Sequence, residues 1–364
     1  MKRVLIIGGT GRIGSSIAED LLKFTDAEMT ITGRSSISPR RNLDERSRFE
    51  ILEISNLKSL EIAIANADLV IHCAGPFALR DQAVLKTCIA KKVDYLDVSD
   101  DRHFTIEALS LSHEAERSGI TAIINTGVFP GISNSLVRES VEYFDQVESI
   151  RLSYLVDGSG GAGLTVMRTT FLGLQNPFEV WQQGQWRMVQ PYSEAEHIQF
   201  DHRKTHVHWF DVPEAYTLTK SFPVNSVTTK FGVLPEIYNQ LTSLTARRIS
   251  KGWLKNPVFI ETLARVSYIM TKISDLFSGV GIVLKVEVLG KKAGKSTTAI
   301  SQFSHPNTAK ACGMGTGMIA QSILKGQLSK PGVSPVETAF PTSLFHQGLA
   351  LRNLEIYRDF STLH

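Results

Sequence analysis

Residues 1–22 read MKRVLIIGGTGRIGSSIAEDLL. Four apolar residues, Val4 to Ile7, run straight into Gly8, Gly9, Gly11 and Gly14, and a helical pattern starts at once. Glycine loses more conformational entropy on folding than any other residue, so four of them this close together need a physical reason. Gly9, Gly11 and Gly14 satisfy GxGxxG, and Gly8, Gly11 and Gly14 satisfy GxxGxxG. In such a turn the first glycines let the backbone fold tightly and approach a ligand. The last lets the helix pack on the sheet, and the helix N-terminus offers free N–H groups to a pyrophosphate. The strand before it and the helix after it supply the context that this short motif requires. The alternative reading is a tight strand-to-helix turn that holds no ligand.

Outward from this turn, residues 1–126 alternate between strand and helix. Strands are expected at 3–7, 28–32, 49–54, 68–73, 93–98 and 120–125, and helices near 13–24, 57–66, 79–91 and 104–118. The polar stretch 36–48 holds Pro39 and reads as a loop. Six short apolar strands separated by helices predict an α/β fold, a Rossmann-type doubly wound parallel sheet. Near residue 131 the pattern changes. Strands are expected at 147–157, 179–182, 185–189, 205–211 and 225–231, and a hairpin joins 281–289 to 296–303 through GKKAGK. These predict a second domain of α+β type on a mainly antiparallel sheet. The expected boundaries are 1–130 for the nucleotide domain and 131–305 for a substrate and dimerisation domain. A basic helical insertion falls at about 235–275, and 306–364 is expected as a helix and tail packing back on the first domain.

The end of the second strand selects the nucleotide. An acidic residue there grips the ribose hydroxyls of NAD, but this strand ends ITGRSS, residues 31–36. Arg34, beside Gly33, can fork onto a 2′-phosphate, and Ser35 and Ser36 can donate to it. The cofactor expected is therefore NADP(H). Ligands of doubly wound sheets lie at the carboxyl ends of the strands. That edge adds Glu53 and Ile54 near the adenine. It also adds Cys73, Ala74, Gly75, Pro76 and Phe77 of HCAGPF, and Gly127 of TGVFPGISN, near the nicotinamide side.

Hydride transfer calls for an acid or base near the reacting group. YLDVSDD, residues 95–101, closes the fifth strand, so Asp97, Asp101 and the nearby His103 are the catalytic candidates. Asp101 reads equally well as a helix cap, and His103 as a surface residue. YTLTK at 216–220 and YIMTK at 268–272 have YxxxK spacing but lie outside the nucleotide domain. His197, His202, His206 and His208 form no complete ligand set at metal-site spacing, so no metal is expected.

The net charge of +3 with dispersed basic residues argues against nucleic acid as a partner. Three cysteines without a CxxC pair predict a reducing, cytoplasmic setting rather than a disulfide framework. The first strand at residue 3 leaves no room for a leader, and no apolar run is long enough to span a membrane. Arg247, Arg248, Lys251 and Lys255, interleaved with Tyr238, Trp253 and Tyr268, make 235–275 either an ordinary amphipathic cover or a lid or peripheral membrane contact.

GGTGRIG, CAGPFALRDQAVLKTCIAKKVDYLDVSDD, NTGVFPGISN, GSGGAGLTVMRTTF and KPGVSPVE together resemble the saccharopine dehydrogenase-like NADP-dependent oxidoreductases. The likeness is nearest to an uncharacterised cyanobacterial and plastid branch. It implies a Rossmann domain, a second α/β domain lining the substrate cleft, and a homodimer. Carried over by position, Gly9, Thr10, Gly11, Arg12, Ile13, Arg34, Gly75 and Pro76 would contact the dinucleotide. Gly8, Gly14, Gly33 and Ser35 complete the expected cofactor set. The function expected is hydride transfer between NADP(H) and an unidentified small molecule, with an apolar substrate as one reading; the alternative is an NADP(H)-binding scaffold or redox-sensing regulatory or assembly protein without turnover.

Overall fold

In the computed structural model, residues 1–34, 44–161, 163–200 and 203–362 are described. They form two compact units: residues 1–135 with 309–354, and residues 136–308 with 355–364.

The first unit is built on β1 (Arg3–Ile7), β2 (Glu28–Gly33), β3 (Ser47–Ile51), β4 (Leu69–His72), β5 (Asp94–Asp97) and β6 (Thr121–Ile124). A seventh strand, β15 (Gly332–Pro335), arrives from far down the chain. The order is β15-β6-β5-β4-β1-β2-β3, and neighbouring strands all pair in parallel. The helices are α1 (Arg12–Phe24), α2 (Leu57–Ala65), α3 (Ala83–Lys91), α4 (Arg102–Ser110) and α5 (Ser112–Ser118). Later come α12 (Thr308–Leu324), α13 (Val336–Ala339) and α14 (Thr342–Leu351). β1 alternates its contacts between two faces, as a strand buried on both sides must. Leu5 and Ile7 join Leu60, Val70, Leu85 and Ile124 in one core.

The helix α12 approaches closely because it is glycine-rich. A Cβ on Gly313 would lie 2.7 Å from the Ser16 backbone, and one on Gly317 would lie 1.9 Å from Asp20 Oδ2. Asp20 is buried there, and its carboxylate takes the Nε and Nη2 of Arg352, the latter at 2.5 Å. Arg352 also donates Nη1 to Gln321 and stacks 4.4 Å over Phe24. Burial pushes the Asp20 carboxyl up, and Arg352 opposes that shift.

The second unit holds β7 (Gln146–Asp157), β8 (Phe178–Gln182), β9 (Gln185–Val189), β10 (Glu196–Phe200) and β11 (Arg203–Trp209). It continues with β12 (Ser226–Leu234), β13 (Gly281–Lys292), β14 (Lys295–His305) and β16 (Ile356–Thr362). The order is β10-β11-β12-β7-β13-β14-β16, with β8 on β12 and β9 on β8. Its pairings are antiparallel except β7–β12, so the sheet is mixed. Its helices are α7 (Leu164–Leu172), α8 (Glu214–Ser221), α9 (Ile237–Arg248), α10 (Lys251–Leu254) and α11 (Pro257–Ser278). The chain passes from the first unit to the second within α6 (Ile132–Tyr143). No helix among the described residues is long and apolar enough to cross a membrane.

Three expectations are corrected. The third strand runs from Ser47 to Ile51, two or three residues earlier than read, because its register follows Met29 to Gly33 of β2. The tail does not stay with the first unit: residues 356–362 form the edge strand beside β14. The segment 104–118 is two helices, broken at Leu111. The GKKAGK hairpin is as expected, with Ala293 and Gly294 at positive φ in its turn.

Removing Arg352 leaves the buried Asp20 carboxylate uncompensated. Arg352→Met is expected to cost about 3–5 kcal/mol, read as a lowered midpoint in urea unfolding.

Candidate functional site

The glycine turn is shaped by what side chains would strike. Gly8 has φ +79, and a Cβ there would lie 3.0 Å from the Ala74 backbone. A Cβ on Gly14 would lie 2.6 Å from both Gly8 O and Gly9 Cα. The first turn of α1 therefore rests on the end of β1, and the stretch after β4 closes over it. The N-cap of α1 is Gly11, which has no side chain to cap the helix, and no acidic residue sits in its first turn. Those uncapped N–H groups and the positive end of the helix dipole suit a pyrophosphate. The cradle fits the dinucleotide on this ground.

Gly33 ties the end of β2 to the same turn. Thr10 Oγ1 occupies the space where a Gly33 Cβ would be, at 2.7 Å, and the Thr10 N–H donates to Thr32 O. Arg34 follows Gly33 directly and is exposed. Arg12 is exposed and Ile13 half-buried at the start of α1. Ser35, with Ser36, Arg40 and Arg41, lies outside the described residues, as does His202.

Along the rest of the strand edge the picture divides. Cys73, Ala74, Gly75 and Pro76 are half-buried, with Cys73 N–H donating to Ile7 O and Arg80 Nε to Ala74 O. Gly75–Pro76 is a cis peptide. Phe77 is buried and meets His72 edge-on at 5.1 Å, so its ring is core. Glu53 is exposed and accepts from Ser55, and Ile54 packs on the core, both in the loop after β3 rather than at its end. Gly127 is buried, and a Cβ there would lie 2.9 Å from Cys312 Sγ, so it answers to the approach of α12.

The acidic candidates have different roles. Asp97 is buried, and its Oδ1 accepts from the backbone N–H groups of Ser99 and Asn125. Burial raises its pKa to about 6 against the opposing effect of those two bonds. Asp97 is a bracket that locks the ends of β5 and β6 together. Asp101 caps α4 by accepting from the Phe104 N–H. The His103 side chain is 84 % exposed and pairs with Glu107 on the same helix. The structure thus gives Asp101 and His103 local duties, and it does not bring them together as an acid–base pair.

The residue that the sequence reading passed over is Asp100. It is half-buried between Asp97 and the cap. Burial, and then the neighbouring Asp101 charge, raise its pKa to about 7. Consecutive aspartates directly after a strand were the available signal, because like charges this close cannot both ionise freely. A second missed pair is Asn134 and Glu337. Asn134 Nδ2 donates to the buried Glu337 carboxylate at 2.7 Å, while its Oδ1 accepts from Gly131.

In β11 the exposed His206 pairs with Glu236, and His208 stacks on Tyr192 at 4.4 Å.

Two substitutions separate the cradle's structural and binding roles. Gly14→Ala drives a Cβ into backbone and is expected to cost about 1–3 kcal/mol or more. Gly11 has φ −71 and its nearest obstacle is Gly8 O at 3.2 Å, so Gly11→Ala is expected to fold while losing NADPH binding. Thermal melts and fluorescence titration check the pair. Asp97, with its folded pKa raised from 3.8 to about 6, favours the fold below 3.8 and loses that contribution as pH rises through about 6. Asp97→Asn keeps an acceptor and removes the charge. Its unfolding free energy should fall less than that of the wild type across this window, by on the order of 3 kcal/mol, read by urea unfolding at either end of it.

Residues 4–123 match the family described as the saccharopine dehydrogenase NADP binding domain. The chain is 22 % identical over 228 residues to carboxynorspermidine synthase of Vibrio alginolyticus, covering 54 % of this chain and 55 % of that protein. It is 28 % identical over 159 residues to the mitochondrial alpha-aminoadipic semialdehyde synthase of Bos taurus, covering 42 % of this chain and 16 % of that one. It therefore spans about half of the first relative and a small part of the second. Saccharopine dehydrogenase (L-Glu forming) from Saccharomyces cerevisiae superposes with a TM-score of 0.74 over all of both chains at 14 % identity, a likeness of fold. The chain carries an NADP-binding domain of the saccharopine dehydrogenase type at residues 4–123, in a chain with the fold of saccharopine dehydrogenase.

Proposed function

We propose that the protein is an NADP(H)-dependent oxidoreductase that moves a hydride to or from a small-molecule substrate. The observation that carries this reading is the uncapped α1 N-terminus, cradled by Gly8, Gly14 and Gly33, within the matched NADP-binding domain. When bound, NADPH would supply the hydride or NADP+ would accept it. The chain supplies the rest: α1 N–H groups hold the pyrophosphate, and the Arg34 guanidinium takes the 2′-phosphate. Ala74 and Gly75 border the turn. Asp100, poised near pH 7, holds or releases a proton at the carboxyl end of β5. The names of the curated relatives point to amine- and aldehyde-bearing substrates. A cytoplasmic homodimer belongs to the same reading, and light scattering of the purified chain counts the subunits.

The test is a fluorescence titration of NADPH and NADH against wild type and Arg34→Ala, followed by NADPH oxidation with amine–aldehyde pairs. NADPH should bind at least about tenfold tighter than NADH, and the variant should lose about 1.4 kcal/mol or more of that preference. Asp100→Asn should bind NADPH normally yet turn over about a hundredfold or more slowly. Absence of binding by either nucleotide refutes the reading.

A further inference from the structure

The helix α11 buries one face and carries an apolar stripe on the opposite, exposed one. Ile260, Ala264, Thr271 and Ser274 are buried on one side. On the other, Val258, Val266, Ile269, Ile273 and Leu276 recur at helical spacing and face solvent, with Val258 77 % and Leu276 87 % exposed. A soluble helix ordinarily turns polar residues, not a second apolar stripe, toward solvent. The inner face is accounted for within the second unit: α7 lies against α11, and Arg168 of α7 forks onto Glu261. The outer face has no cover among the described residues.

The neighbouring helices extend it. Ile237, Leu241 and Leu244 form an exposed stripe on α9, and Tyr238 donates to Met270 O, which sets the start of α9 against α11. Trp253 of α10 is exposed and meets Phe259 of α11 at 5.3 Å. Exposed apolar side chains in such number mark an interaction surface.

Charge identifies the occupant. Residues 237–278 hold six basic and two acidic residues, an excess of four that is larger than the +3 of the whole chain. Both acids are engaged: Glu261 with Arg168 and Arg265, and Asp275 with Ser159 and Lys272. Arg247, Arg248, Lys251 and Lys255 are exposed and enter no ion pair with the described residues. A second copy of this surface would set like charge against like. A lipid surface with anionic headgroups complements both halves of it, taking the apolar stripes into the acyl boundary and the basic groups at the headgroups. Trp253 and Tyr238 are side chains suited to that boundary. Although α11 is 22 residues long, it is too polar to span, which leaves lying on the surface as its way of burying the outer face.

We infer that α9–α11 dock the protein on an anionic membrane surface. This surface stands independently of the oxidoreductase reading. The experiment is flotation of the full chain with vesicles of phosphatidylcholine alone and of phosphatidylcholine enriched in phosphatidylglycerol. Wild type floats with the anionic vesicles, stays down with the neutral ones, and is released by salt. The double variant Ile269→Glu/Ile273→Glu stays down, and Arg248→Gln/Lys251→Gln partitions about thirtyfold more weakly. Both positions of the first variant are solvent-exposed, and unchanged NADPH binding and melting temperature establish that the variants are folded. The proposal is overturned if wild type fails to float at low ionic strength or if both variants float as it does. It is overturned equally if Ile269→Glu/Ile273→Glu turns an oligomer into a monomer in light scattering, which would assign the face to a second copy.

Discussion

The closeness of α1 to the end of β1 is the constraint on which the first unit depends. A helix can abut a strand end only if the backbone between them carries no side chains, and Gly14 meets Gly8 O and Gly9 Cα within 2.6 Å of where a Cβ would stand. That contact aims the α1 N–H groups off the edge of the sheet, brings Ala74 over the turn, and seats Thr10 on Gly33. The opposite side of α1 is held as closely by the glycines of α12, whose Gly317 leaves a notch for the Asp20 carboxylate. One helix is thus gripped twice by missing side chains, and the uncapped end left over is where an anion binds best.

Chemistry along the same edge depends on which carboxylates are already committed. Three aspartates lie within five residues, and the sequence treats them alike. Asp97 is consumed in joining β5 to β6, and Asp101 in starting α4. Asp100 is left with a raised pKa and partial exposure, the combination expected of an acid–base group. His103 misses that role for the opposite reason: on the outer face of a helix it is fully hydrated and already paired with Glu107.

In the second unit the decisive feature is a mismatch between two faces of one helix. One stripe of α11 packs on α7. The outer stripe adds no stability in water and is apolar without an internal reason. Its basic surroundings, unlike the neutral balance elsewhere in the chain, supply an external one.

The amino-acid sequence by itself determined what short-range physics controls. The glycine turn, the six alternating strands, the change of pattern near residue 131 and the GKKAGK hairpin were all legible, because side-chain period and turn chemistry act over a few residues. The position of Arg34, directly after the glycine that ends β2, was legible for the same reason. Tertiary structure alone decided the rest. The short β15, ending in Pro335, is a strand because β6 lies beside it, and Ile356–Thr362 is a strand because β14 offers a free edge. The bond from Asn134 to Glu337 joins residues 203 positions apart. The separate fates of Asp97, Asp100 and Asp101 were also hidden, because a carboxylate's role is set by the hydrogen bonds and burial around it, and those come from segments distant in the chain.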